Sequence, residues 1–115
     1  MPKRLLPVLA LLALAPPAAA QPQALQPHNI YASLDPDAPD QATLRRVQGA
    51  LTRCGIPNEQ DASLAYVGLR EGFYLVISGP HASAAVAAAE LARARGCGVE
   101  GYTRLARRRP GVMED

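Results

Sequence analysis

Apolar and polar positions change rhythm several times between His28 and Ala106. From His28 to Leu34, Ile30, Ala32 and Leu34 alternate with Asn29, Tyr31 and Ser33, a period of two that predicts a strand. Leu44, Val47, Leu51 and Cys54 then fall on one stripe, with Arg45, Arg46, Gln48 and Thr52 elsewhere, which predicts a helix over about Asp40 to Arg53. The DPDAPD run from Asp35 to Asp40 supplies a turn and a helix start, with Asp37 as N-cap and Pro39 in the first turn. Gly55 and Pro57 end that helix. Alternation returns from Ser63 to Leu69, with Ala65, Val67 and Leu69 set against Leu64, Tyr66 and Gly68. Arg70, Glu71 and Gly72 form a hairpin turn into the unbroken apolar run Phe73 to Ile77, which reads as a buried strand. Gly79-Pro80 stops this strand, because proline has no N–H for a ladder. An alanine-rich helix follows from about Ala82 to Arg95, closed by Gly96 and Gly98. The last strand runs from Val99 to Ala106, with Val99, Gly101, Thr103 and Leu105 on one side and Glu100, Tyr102 and Arg104 on the other.

The resulting order, β-α-β-β-α-β, predicts an α+β fold of the ferredoxin-like, split βαβ type. It would be a four-stranded antiparallel sheet in spatial order 4-1-3-2, with both helices on one face and the other face open. In that arrangement the helices are antiparallel, and Cys54 and Cys97, each ending one of them, lie at opposite ends of the domain. A 14-residue helix is about 20 Å long, whereas a disulfide tolerates a Cα separation of up to about 7 Å. The expectation is therefore no bond between them within one chain. Cys54 then reads as a small buried residue, and Cys97 as partly exposed and free to pair between molecules.

Length and charge narrow the class. The 115 residues suit one domain. Lys3 and Arg4 followed by the apolar stretch Leu5 to Ala15, the Pro16-Pro17 break and Ala18-Ala19-Ala20 predict a secretory signal peptide over 1–20. A Gln/Pro-rich flexible leader over 21–27, a domain over 28–106 and a basic, disordered tail over 107–115 complete the expected organisation. Removing Lys3 and Arg4 from the twelve basic residues leaves ten against ten acids. That balance argues against nucleic acid as a partner, and no stretch after the signal is long and apolar enough to span a bilayer. An exported protein meets oxidising conditions.

Candidate chemistry is sparse. His28 and His81 with scattered acids make no zinc set. Glu71, Glu90 and Glu100 show no pairing of the glycosidase kind, and Glu90 with Arg93 reads as a surface i,i+3 pair. No nucleophile–base set is visible, so neither an enzyme nor a cofactor is expected. The cluster Arg104, Arg107, Arg108 and Arg109 suits contact with carboxylates or anionic lipid heads, or else a solvated tail. The alanines of the second helix, Ala84, Ala85, Ala87, Ala88 and Ala92, read as core that lets the helix lie close to the sheet.

Ser78-Gly79-Pro80-His81, the Ala-rich helix after it, the glycine that ends that helix and the short last strand resemble the SPOR domain, the sporulation-related repeat of bacterial envelope proteins. The likeness covers about Asn29 to Ala106, with IYASL standing where the family has a first strand of the type Q-V-G-S-F. It implies a non-catalytic periplasmic domain that binds peptidoglycan glycan strands stripped of their stem peptides on the open sheet face, with roles in cell division or envelope organisation and other envelope proteins as further partners. The ligand-binding residues it points to, taken with the tyrosines, are Tyr31, Phe73, Tyr74, Leu75, Tyr102 and Arg104. Two departures stand out: Leu75 occupies the position of a frequent arginine, and Ile30 that of a frequent glutamine. They leave a second expectation, a protein-interaction module that kept the fold and lost the glycan site. The register of the sheet is also open. The family register puts Phe73, Leu75 and Ile77 on the ligand face. Simple alternation buries them against the helices and turns Tyr31, Tyr66, Tyr74 and Tyr102 outward together.

Overall fold

A computed structural model describes residues 24–35, 37 and 40–111. The expected signal peptide, the first three residues of the expected leader and the last four residues of the expected tail lie outside the described residues, while Gln26 and Pro27 of that leader belong to a strand. Among the described residues five strands and two helices follow one another as β1 (Gln26–Leu34), α1 (Gln41–Arg53), β2 (Glu59–Ala62), β3 (Tyr66–Val67), β4 (Tyr74–Ser78), α2 (Ala84–Gly96) and β5 (Tyr102–Arg108), with one 3₁₀ turn, Ser63–Ala65, between β2 and β3.

Asp40, rather than Asp37, caps α1, its carboxylate accepting from the Thr43 amide at 3.2 Å. Ser83 caps α2 by accepting from the Val86 amide at 3.1 Å. β5 runs on through Arg107 and Arg108, so these two belong to the sheet and not to a tail.

The expected class, α+β, stands, but the four-stranded sheet does not. The sheet has five antiparallel strands in the order β2-β4-β1-β5-β3. The segment read as a single strand from Ser63 to Leu69 is divided between the two edges. The Ser63 amide still donates to the Phe73 carbonyl, at 2.9 Å, continuing the β2–β4 ladder. Two residues later the partner has changed: the Arg109 amide donates to the Ala65 carbonyl at 2.8 Å, and Tyr66 pairs with Arg108 of β5. The 3₁₀ turn carries the chain across the gap. A short link can join the two outermost strands only if the sheet curls until they meet. Arg108 of β5 accordingly reaches Asp61 of β2 at 2.7 Å, although β4 and β1 stand between those strands in the sheet.

The curl produces two cores. Between sheet and helices lie Tyr31, Leu44, Leu51, Ile56, Val76, Ala94 and Val99. Inside the curl lie Ile30, Ala65, Tyr66, Leu75, Ile77 and Ala106, with Leu69 and Phe73 against them. The face expected to be open is thus covered at one end by Ala65 and Tyr66. A fully open sheet would have left Ile30, Leu75, Ile77 and Ala106 wet, and burying them by curling recovers about 25 cal/mol per Å² of apolar surface.

The register follows from one irregularity. Ile30 pairs with Ile77, but Ala32 pairs with Val76, so Tyr31 is the extra residue of a bulge in β1. Tyr31, Ala32 and Leu34 all pack on the helix side, while Phe73, Leu75 and Ile77 face the concave side. The four tyrosines therefore do not share a face.

The cysteines also depart from expectation. Cys54 and Cys97 form a disulfide within the chain, with a Cα separation of 6.4 Å. The C-terminal ends of the two helices converge over the same core, where Leu51, Ile56, Ala94 and Val99 pack together. The strictly antiparallel helix pair on which the opposite expectation rested is absent. Among the described residues no helix is long and apolar enough to cross a membrane.

Candidate binding cleft on the concave face

Tyr66 and Ala65 close only one end of the curl. At the other end a cleft of about 280 Å³ remains, floored by Ile30 and Leu75 and walled by Leu69, Phe73, Tyr102 and Arg104. Ser33, Ser63, Gly68 and Arg70 complete its rim. Gly68 is required where the chain turns off the closing strand. Its φ is +101°, and a β-carbon there would lie 2.6 Å from the Leu105 carbonyl oxygen.

Four of the six residues expected to bind ligand meet in this cleft: Phe73, Leu75, Tyr102 and Arg104. Alternation along β5 brings Tyr102 and Arg104 to one face, and the Arg104 guanidinium carbon lies 4.6 Å from the centre of the Tyr102 ring. Arg104 Nη1 also donates to the Thr103 carbonyl at 3.1 Å. Leu75 is nearly inaccessible and serves as floor. Tyr74 points elsewhere, into a separate shallow hollow with Leu64 and Gly72. Tyr31 lies on the helix side, buried, with its hydroxyl turned inward.

Sequence reasoning missed Arg70 as a cleft residue, since a polar turn position carries no sign of where its side chain goes. It also missed the buried network that holds Tyr31. Glu90 is 7% exposed, so it is not half of a surface pair with Arg93. Its Oε1 accepts from the Tyr31 hydroxyl at 2.7 Å, from Asn29 Nδ2 at 3.0 Å and from the Ser78 hydroxyl. Asn29 spans further, donating to the Ala87 carbonyl at 3.0 Å and accepting from the Thr103 hydroxyl at 2.6 Å. Burial works to raise the Glu90 pKa, but the bonds from Ser78, Asn29 and Tyr31 outweigh it and hold the carboxyl below its ordinary range. The Tyr31 phenol is pushed up by burial and by the carboxylate beside it. The network joins α2 to β1, β4 and β5. Only Ala87 and Ala94 of the α2 alanines are buried with it, and Ala84, Ala85, Ala88 and Ala92 face solvent.

Ser78, His81 and Glu90 together invite comparison with a hydrolytic relay. His81 Nε2 lies 3.1 Å from Ser78 Oγ and 3.5 Å from Glu90 Oε1. A relay needs the serine and the carboxylate on opposite ring nitrogens, with the serine aimed at substrate. Here both approach Nε2, and the buried serine is aimed at the carboxylate. This geometry fastens a helix to a sheet.

A second network closes the curl. Asp61 accepts from the Tyr66 hydroxyl at 2.9 Å and from Arg108 Nη1 at 2.7 Å, and the Arg108 guanidinium lies 5.5 Å from the Tyr66 ring centre. His28 packs edge-on against Tyr66 with ring centres 5.6 Å apart, and burial lowers its pKa. Among the described residues no group of three or more metal-ligating side chains gathers. Comparison with protein-family models, curated proteins and solved structures gives no match.

Proposed function

We propose that this is an exported, non-catalytic protein that binds peptidoglycan glycan strands through the concave cleft. The observation that carries the reading is the meeting of Phe73, Tyr102 and Arg104 over an apolar floor. Aromatic rings offer an apolar face to sugar C–H groups, and a guanidinium offers several N–H donors to ring substituents. The cleft is at the small end of the range of about 300–1,000 Å³ usual for ligand pockets, which suits one or two sugar rings rather than a bulky cofactor. The likeness of the Phe73–Leu105 segment to envelope SPOR domains points the same way. So do the signal-like N-terminus and the Cys54–Cys97 bond, which suits an oxidising compartment such as the periplasm. Cell-division or envelope-organising roles belong to the same proposal.

Co-sedimentation with isolated sacculi at low salt tests it. Binding that rises when stem peptides are removed, and falls in Tyr102→Ala, is the expected result. Protein that stays in the supernatant with both intact and stripped sacculi refutes it.

One observation favours a second reading, a protein-interaction module. Leu64 and Tyr74 are 53% and 40% exposed and line an apolar hollow beside β2. That reading expects self-association or capture of an envelope protein, abolished by Leu64→Asp. A strictly monomeric protein at high concentration that captures nothing counts against it.

A further inference from the structure

The cleft carries an uneven charge. Among the described residues two arginines, Arg70 and Arg104, line it, and no acid does. The acids nearest in the chain are engaged elsewhere: Glu71 with Arg109 at 3.5 Å, Glu100 with Arg95 at 3.6 Å, Asp61 and Glu59 with Arg108. Neither Arg70 nor Arg104 has an ion-pair partner among the described residues. Arg104 is nonetheless held, stacked on Tyr102 and tied at one N–H to the Thr103 carbonyl. A guanidinium has five N–H donors in a fixed fork, so most of its donors remain unused beside an apolar floor. A cation already oriented and lacking a counter-charge is prepared for a planar anion that accepts two parallel hydrogen bonds.

We infer that the cleft selects carboxylate-bearing sugars, with Arg104 taking the carboxylate, Arg70 adding charge at the rim, and Phe73 and Tyr102 flanking the ring. This rests on the glycan reading above and adds a requirement to it: the sugar must be anionic. Two sources carry that chemistry, the lactyl ether carboxylate of a stripped wall glycan and the C6 carboxylate of a uronic acid.

Titration calorimetry of the full protein against four soluble oligosaccharides separates the possibilities. These are stripped wall glycan, the same glycan with its carboxylates converted to amides, oligogalacturonate, and a neutral chitin oligomer. The expected result is binding of the stripped glycan that weakens about tenfold or more on amidation, as the loss of a charge-assisted hydrogen bond requires, with chitin as weak as the amide. Arg104→Gln removes the preference and Arg104→Lys restores part of it. Arg104 is exposed, and circular dichroism verifies the fold of each variant. Equal binding of the acid and amide forms overturns the inference and leaves the glycan reading standing. Binding of oligogalacturonate but of no wall glycan keeps the carboxylate requirement and overturns the wall reading. Binding of none of the four overturns both.

Discussion

Glu90 offers the sharpest test of how α2 is fixed to the sheet. Replacing it by alanine removes the single oxygen on which Asn29, Tyr31 and Ser78 converge. Hydrogen bonds to a charged group contribute about 1.5–3 kcal/mol each, and three sharing one oxygen do not add in full. Asn29 keeps the Ala87 carbonyl and Ser78 keeps His81, so the Tyr31 hydroxyl is the donor left most exposed to loss. The lost charge-assisted bonds and the donor left unsatisfied together cost about 3 kcal/mol, a large share of the roughly 5–15 kcal/mol typical of a domain. Glu90→Gln keeps one acceptor oxygen but loses the charge and puts an NH2 in place of the other oxygen, at about 1–2 kcal/mol. Urea unfolding at pH 7, followed by circular dichroism, reads both. The pH arm has a definite sign. The folded pKa of Glu90 is depressed, so its stabilisation is present above the ordinary value of 4.5 and is lost as pH falls through the lower folded value. The gap between the native protein and Glu90→Gln therefore narrows on acidification below that ordinary value. Glu90→Ala within about 1 kcal/mol of the native protein, or equal costs for the two variants, refutes the account.

Three further outcomes are expected. Gly101→Ala puts a β-carbon 2.5 Å from the Tyr31 ring and 2.9 Å from the Ile30 carbonyl oxygen, and costs about 1–3 kcal/mol in urea unfolding. Mass spectrometry without reduction finds the Cys54–Cys97 peptide pair, and reduction or Cys54→Ser with Cys97→Ser lowers stability by about 4 kcal/mol, from the loop entropy of a separation of 43 residues. Alkaline spectrophotometric titration finds two phenols, Tyr31 and Tyr66, ionising above the ordinary value of 10.0, because burial and the adjacent Glu90 and Asp61 raise both. Their contribution to stability is complete below that ordinary value and is lost as pH rises toward the folded values. Asp61→Asn moves the Tyr66 transition downward and leaves that of Tyr31 in place.

The element types were legible where local physics decides them. Leu44, Val47 and Leu51 mark α1 by spacing, and Gly96 and Gly98 mark the end of α2 because caps act within one turn, whereas the Ser83 cap at its start was missed. Phe73 to Ile77 read as a strand because the run is short, rich in aromatic and β-branched residues and stopped by Gly79-Pro80. Alternation in β5 placed Tyr102 and Arg104 together, and the cleft follows from that. The bulge at Tyr31 left no mark in the sequence. Asn29-Ile30-Tyr31-Ala32 alternates as well as any strand, and the extra residue is accommodated because the Tyr31 ring and hydroxyl find Gly101 and Glu90 behind the sheet. A tertiary contact thereby overrode a local period.

The division of the Ser63–Leu69 segment was equally hidden, and it decides the fold. Ala65, Val67 and Leu69 alternate correctly for a strand, but alternation does not say which neighbour supplies the hydrogen bonds. The deciding residues lie outside the pattern. Asp61 stands in a strand where a buried acid is costly unless paired. Arg108, 47 positions later, is the cation that makes its burial tolerable, with the Tyr66 hydroxyl between them. Arg108 and Asp61 can meet only if the outer strands come together, so this ion pair and the curl imply each other. This sheet closes at the Tyr66 end and leaves its apolar interior accessible at the other. The cleft is thus a consequence of the closure: the contact that covers Ile77 and Ala106 is what leaves Phe73, Tyr102 and Arg104 gathered around an opening instead of spread over a flat face.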